Sequence, residues 1–163
     1  MKQQQEILVF GSNLSGIHGA GAARYAVQHH GAVMGQGMGL QGDSYALPTK
    51  GVNISFMPLE DIGRHVAAFI QFTKIRPDLN FRVTRVGCGL AGFKDTDIAP
   101  LFRDALPLKN VRLPQGWREF LTTGEVVEFH DDAEPVPISY EQALVEVKES
   151  IGRFKDFLAK PIE

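Results

Sequence analysis

Residues 7–32 read ILVFGSNLSGIHGAGAARYAVQHHGA. Four apolar residues in a row, Ile7 to Phe10, make a run of strand length that stops at Gly11. A glycine-rich stretch follows, and from Ala20 the spacing of AGAARYAVQHH becomes helical. The same plan returns at residues 81–100, FRVTRVGCGLAGFKDTDIAP, where an apolar strand runs into Gly87, Gly89 and Gly92 and then into a helix. Two strand–turn–helix units in one chain put two backbone turns at the same edge of a sheet and suggest that a ligand lies between them.

Working outward from these units, strands are expected at 7–10, 45–48, 81–86 and 109–113, each short, apolar and bounded by Gly, Pro or Asn. Helices are expected at 20–30, at 58–76 with Ile62, Val66, Phe69, Ile70 and Thr73 on one face, and at 95–106. Strands alternating with helices imply an α/β fold with a mostly parallel central sheet and crossover helices, a three-layer α/β/α arrangement. The stretch 31–44, GAVMGQGMGLQGDS, has five glycines and reads as a loop, either covering a ligand or simply flexible at the surface.

The 163 residues suit one domain with an appendage, and 44% apolar content is enough to bury a core. The single cysteine, Cys88, excludes a disulfide framework and any multi-cysteine metal site. His and Cys show no ligand spacing, so neither metal nor cofactor is expected. MKQQQE carries no signal-like apolar run, and nowhere do eighteen apolar residues follow one another, so the protein is expected to be soluble, cytoplasmic and free of membrane. Charge is uneven. Residues 1–118 hold 13 Lys and Arg against 8 Asp and Glu, whereas 119–163 hold 4 against 11. The body therefore suits an anionic ligand, but its cations are scattered, which argues against a duplex nucleic-acid surface.

Beyond residue 113 the character changes, so the core is expected to span 1–113 and residues 114–163 to form an extension. HDDAEPVP (130–137) reads as an acidic linker. From Ser139 an amphipathic helix is expected, with Ala143, Leu144, Val147, Ile151, Phe154 and Leu158 in its stripe, packing on the core or alternatively pairing with a second copy of the chain.

Each turn has chemistry of its own. Gly87-x-Gly89-x-x-Gly92 offers backbone N–H groups with a helix behind them, a site for phosphate. It is a poor dinucleotide fingerprint, because it falls on the third expected strand and no ribose-binding acid follows at the right distance. It is not a P-loop either, since Gly92-Phe93-Lys94-Asp95 lacks G-K-[ST]. In the first turn, Gly11, Ser12 and Asn13 end the strand, and Asn13 is either a sugar-binding amide or a turn residue. Gly19, Ala20, Gly21 and Ala22 keep the backbone bare where the helix starts. His18 can meet a phosphate or act as a general acid. His29 and His30 close a helix, and His65 and His130 read as surface residues. Cys88, inside the second turn, is either a reactive thiol or a small packing residue.

Taken together, GSN (11–13), HGAGAARYAVQHHGA (18–32), YALPTK (45–50) and RVGCGLAGFKDTDIAPLF (85–102) resemble a macrodomain, and within that superfamily the branch that removes terminal ADP-ribose from protein glutamates through a lysine. The resemblance covers residues 7–113. It implies that Lys50 attacks the anomeric carbon of the distal ribose through a Schiff-base-type intermediate, and that Asn13 contacts that ribose. It also implies that Gly19–Ala22 and Gly87, Cys88, Gly89, Leu90, Ala91, Gly92 and Phe93 wrap the diphosphate.

Two departures bear on activity. Ala91 stands where the branch has the aspartate that helps release the lysine-bound sugar, leaving Asp95 or Asp97 as the carboxylates near enough in sequence to replace it. Only six residues precede Ile7 in this sequence, so the branch's extra strand, whose aspartate reads adenine, is not expected here. The expected ligand is thus an ADP-ribose-like small molecule or an ADP-ribosylated macromolecule. Three expectations stand open: an ADP-ribosyl hydrolase using Lys50, a non-catalytic ADP-ribose-binding module, and a phosphatase of phosphorylated ADP-ribose using His18 or Asp95.

Overall fold

A computed structural model describes residues 5–121 and 128–130, together with isolated positions between 145 and 159. The expected linker and most of the apolar stripe expected for the last helix lie outside the described residues.

The chain forms six strands: β1 Glu6–Asn13, β2 Gly39–Gln41, β3 Ser44–Lys50, β4 Asn80–Val83, β5 Val111–Pro114 and β6 Glu128–His130. They make one sheet in the order β2-β3-β1-β4-β5-β6. Only the β2–β3 pairing is antiparallel. The helices are α1 Gly21–His29, α2 Leu59–Ile75 and α3 Asp95–Ile98, with 3-10 segments at Val52–Ile54, Ala99–Ala105 and Gln115–Phe120.

Strand β1 explains why helices cover both faces. Its side chains alternate, so Leu8 and Phe10 point with Ala46 to one face, where α1 lays Ala23 and Ala26 against them. Ile7 and Val9 point to the other, where Phe69, Phe81, Phe102 and Trp117 form the larger core with α2 and the Ala99–Ala105 segment. Phe69 meets Phe81 edge to face at 5.6 Å, and Phe102 lies 5.0 Å from Trp117. A continuous apolar run, rather than an alternating one, is what a central strand buried on both sides requires.

Several elements differ from the sequence expectation. The glycine-rich stretch 31–44 is not wholly loop, since Gly39–Gln41 pairs with β3 as an edge strand. The helix expected over 95–106 is α-helical for only one turn: Pro100 has no N–H to return to the preceding turn, and the chain tightens into 3-10 geometry. The sheet and core also continue past residue 113. Trp117 is fully buried and Leu121 nearly so, and β6 adds a strand beside β5.

His130, expected at the surface, is buried, and the sheet explains why. Phe81 donates its N–H to the Asn110 carbonyl, so the evenly spaced parallel ladder would hand the Val83 carbonyl to the N–H of residue 114. Residue 114 is proline and has none. His130 Nε2 fills the gap, donating to the Val83 carbonyl at 2.7 Å. Removing the ring in His130→Ala should therefore cost about 1–3 kcal/mol. The loss should be smaller in a Pro114→Ala background, where the ladder recovers its donor, and a double-mutant cycle by urea denaturation measures the difference.

Candidate functional site

The connections define where a ligand can sit. After β1 the chain leaves over one face through α1 and returns to β3; after β4 it leaves over the other face through α3 and the Ala99–Ala105 segment to reach β5. Adjacent parallel strands that send their chains to opposite faces open a crevice at their carboxyl ends, the usual ligand position in open α/β sheets. The first and second glycine turns border this crevice. At its root the turns nearly touch: a Cβ on Gly11 would lie 3.4 Å from the Gly87 nitrogen and 3.2 Å from Thr49 Oγ1. Gly87 itself has φ +76°, a left-handed conformation that reverses the chain and that a side chain would oppose.

Two features on either side of the crevice suit an anion. Helix α1 begins at Gly21 behind Ala20, with no side-chain cap and no acid in its first turn, so nothing in that turn offsets the positive end of its dipole. By contrast, α2 starts with Glu60 and Asp61, and the Asp97 carboxylate accepts the Lys94 backbone N–H at the start of α3. On the second turn, Gly89 and Gly92 form an exposed crest with nothing within 4 Å of where their Cβ atoms would stand.

Lys50 ends β3 directly across from Asn13 of β1, where the register slips by one residue. Its backbone carbonyl accepts from Leu14 N–H at 3.1 Å. Its side chain is half-buried, and burial pulls the ammonium below the usual lysine range. Among the described residues no carboxylate or carbonyl engages its amine. The backbone that follows is strained: Asn53 and Ile54 have φ +52° and +63°, the second a conformation that a β-branched residue rarely adopts. Ser15 Oγ holds this segment by accepting the Asn53 N–H, and it delivers Phe56, 74% exposed, to within 6.1 Å of the Phe93 ring on the second turn. The aromatic lip was not legible from spacing, because Phe56 and Phe93 come together only when β3 and β4 lie on either side of β1.

The remaining expected residues divide sharply. Asn13 serves its own turn, its amide donating to the Ile17 carbonyl at 2.8 Å and accepting the Ile17 N–H at 3.0 Å. Ser12 is buried and donates to the Gly37 carbonyl. The segment 33–41 is packed down on this first turn rather than free, and a Cβ on Gly37 would fall 2.2 Å from the Asn13 carbonyl oxygen. Gly19 and Ala20 are buried; Gly21 and Ala22 are partly open at the start of α1. On the second turn Cys88, Leu90 and Ala91 are partly exposed, and Cys88 also packs against the core.

His18 is held by the protein. Its ring is 3% exposed, stands edge to face on Phe10 at 5.1 Å, and donates from Nε2 to the Gln36 carbonyl at 2.9 Å, while Nδ1 has no hydrogen-bond partner among the described residues. The ring is closed over by the segment that carries Gln36. Asp95 is engaged as well. Oδ1 accepts from Arg85 Nε at 3.0 Å and Trp117 Nε1 at 2.7 Å, and Oδ2 accepts from Arg85 at 2.6 Å. Burial alone would raise its pKa, but the bonds from Arg85, Trp117 and Cys88 outweigh it and hold the carboxyl below its usual range. Both oxygens of this carboxylate are thus occupied by donors of the protein.

Among the described residues no three of His, Cys, Asp and Glu gather to hold a metal, and no helix is long and apolar enough to cross a membrane. Compared with protein-family models, curated proteins and solved structures, the chain matches none.

Burial lowers the His18 pKa from its ordinary value despite the bond to Gln36. The unfolded chain therefore binds a proton more readily than the native one, and stability is present above the unfolded pKa and lost as pH falls from there toward the native pKa. Thermal melts between about pH 7.5 and 5 should show part of the acid destabilisation disappearing in His18→Gln. His30 and His65, also lowered by burial, account for the part that stays.

Proposed function

We propose that the crevice between the first turn and Gly87–Phe93 binds ADP-ribose or a related ribosyl-diphosphate nucleotide, with Lys50 at its reactive end. The observation that carries this reading is Lys50 itself: a half-buried amine with no partner among the described residues, at the carboxyl end of β3 and beside the strand that leads into the bare helix start. The uncapped α1 terminus and the exposed crest of the second turn supply N–H donors for the two phosphates. The motifs YALPTK and GCGLAGF, read as macrodomain-like, put the distal ribose at the lysine.

In the hydrolytic form of this reading, the neutral Lys50 amine forms a C–N bond to the anomeric carbon as the bond to the modified group breaks, and that group leaves with the bonding pair. The glycosylamine opens to a protonated Schiff base when the ring oxygen takes a proton, and water adds to the imine carbon and releases ADP-ribose and free lysine. A depressed lysine pKa favours the first step by enlarging the amine fraction near neutral pH.

The engagement of Asp95 favours a second form, in which the cleft binds or captures the nucleotide with slow release, since neither Ala91 nor Asp95 offers a free carboxylate for the later proton transfers. The phosphatase alternative has lost support, because both groups it would use are engaged or buried.

Calorimetric titration with ADP-ribose should show binding by wild type and by Lys50→Ala. Borohydride should trap ADP-ribose on wild type but not on Lys50→Ala, at a rate that rises with pH to a midpoint below the ordinary lysine value. Release from a mono-ADP-ribosylated glutamate peptide, lost in Lys50→Ala, would establish the hydrolase. Binding without release would leave the binding module, and no binding of ADP-ribose would sink the reading of the crevice.

A further inference from the structure

The second glycine turn makes little structure of its own. Within it the Gly92 N–H bonds to the Gly89 carbonyl and the Phe93 N–H to the Gly87 carbonyl, both at 3.0 Å, while Cys88 N–H reaches back to Arg85 at 3.1 Å. Glycines 87 and 92 are both left-handed, at φ +76° and +82°, so the segment is free to take many other shapes. Besides these bonds and the packing of Cys88 and Phe93 on the core, what limits it lies at its two ends. Arg85 precedes the turn and Asp95 follows it, and their fork-to-carboxylate pairing, at 3.0 and 2.6 Å, draws the ends together across ten residues.

The carboxylate is itself anchored from a third place. Trp117 is fully buried against Phe102 in the larger core, and its indole N–H reaches Asp95 Oδ1 at 2.7 Å. An indole locked in a core is a rigid donor, so it fixes where the carboxylate stands, and the carboxylate in turn fixes Arg85. An ion pair with Arg85 38% and Asp95 22% exposed adds little to overall stability. Its directional geometry matters more, because a bidentate pair sets both position and orientation.

We propose that Asp95 is a positioning residue for the ligand turn, holding Gly87–Phe93 in the shape that presents the N–H groups of Gly89, Leu90 and Ala91, which bond to nothing among the described residues, to a diphosphate, and that Trp117 is the anchor through which the segment after β5 sets the grip of the cleft. The inference rests on the reading of the crevice as a diphosphate site and assigns that site a support outside the 7–113 stretch that carries the macrodomain resemblance. Asp95 acts through the turn and touches no reacting atom.

The test uses the full chain as wild type, Asp95→Asn, Arg85→Lys and Trp117→Phe, with thermal melts identifying the variants that stay folded. In Asp95→Asn, amide exchange at Gly92 and Phe93 should quicken by about tenfold or more, a readout that needs no ligand. The Kd for ADP-ribose should rise by roughly tenfold, while borohydride trapping on Lys50 keeps its maximal rate and needs more ligand to reach it. Arg85→Lys and Trp117→Phe should move in the same direction. Unchanged exchange in the turn would overturn the positioning role whatever the ligand does. Folded variants that exchange faster yet bind as tightly as wild type would overturn the link from the turn to the grip. Faster exchange in Asp95→Asn alongside a wild type that binds no ADP-ribose would overturn the reading of the crevice and, with it, any grip for Asp95 to set, leaving the residue a turn anchor only.

Discussion

The parting of the chain at β1 and β4 governs the rest of the molecule. Two adjacent parallel strands deliver their following segments to opposite faces of the sheet, and the crevice left between them is a consequence of connectivity, not of any one side chain. The core follows from the same constraint. Because β1 is covered on both sides, Ile7 and Val9 must satisfy α2 and the aromatic cluster while Leu8 and Phe10 satisfy α1. Alanines at 23, 26 and 46 on the α1 side leave room only for a close-lying helix. That brings the helix start, with its bare N–H groups, to the crevice.

The two turns at this crevice are built in opposite ways. The first is packed from above: the glycine-rich segment 33–41 lies on it, uses Ser12 and His18 as anchors, and leaves no space for a side chain at Gly37. The second is held from below, by Arg85, Asp95 and Trp117, with its crest open. A ligand between them would meet one rigid wall and one wall whose shape depends on a polar staple. Lys50 and the strained turn after it stand at one end, and the exposed Phe56 ring adds an apolar surface there.

The polar residues of the site illustrate how the same letters acquire different meanings. Asn13, Ser12, His18 and Asp95 are all capable of touching a nucleotide, and each makes at least one hydrogen bond to the protein instead. An expectation drawn from residue type measures what a side chain can do. Which partner it meets is decided by segments far along the chain, Gln36 for His18 and Trp117 for Asp95, that no local pattern places beside it. Lys50 is the exception in the other direction. Composition favours an exposed strand-end lysine, and the fold instead half-buries it with no counter-charge among the described residues.

The α/β class, the positions of β1, β3, β4 and β5, and the apolar face of α2 were determined by the sequence alone, because they follow from periods of hydrophobicity and from glycine and proline at the ends of runs. The edge strand Gly39–Gln41, the added strand Glu128–His130 and the continuation of the core to Trp117 were decided by tertiary structure. Short strands carry too few residues for a periodic signal and exist because a neighbour offers an unpaired edge. The same holds for His130, whose burial answers a hydrogen bond that Pro114 cannot make. The glycines marked where ligand turns could form; only the packed sheet decided that the carboxylate expected to do chemistry there would hold one of those turns in place.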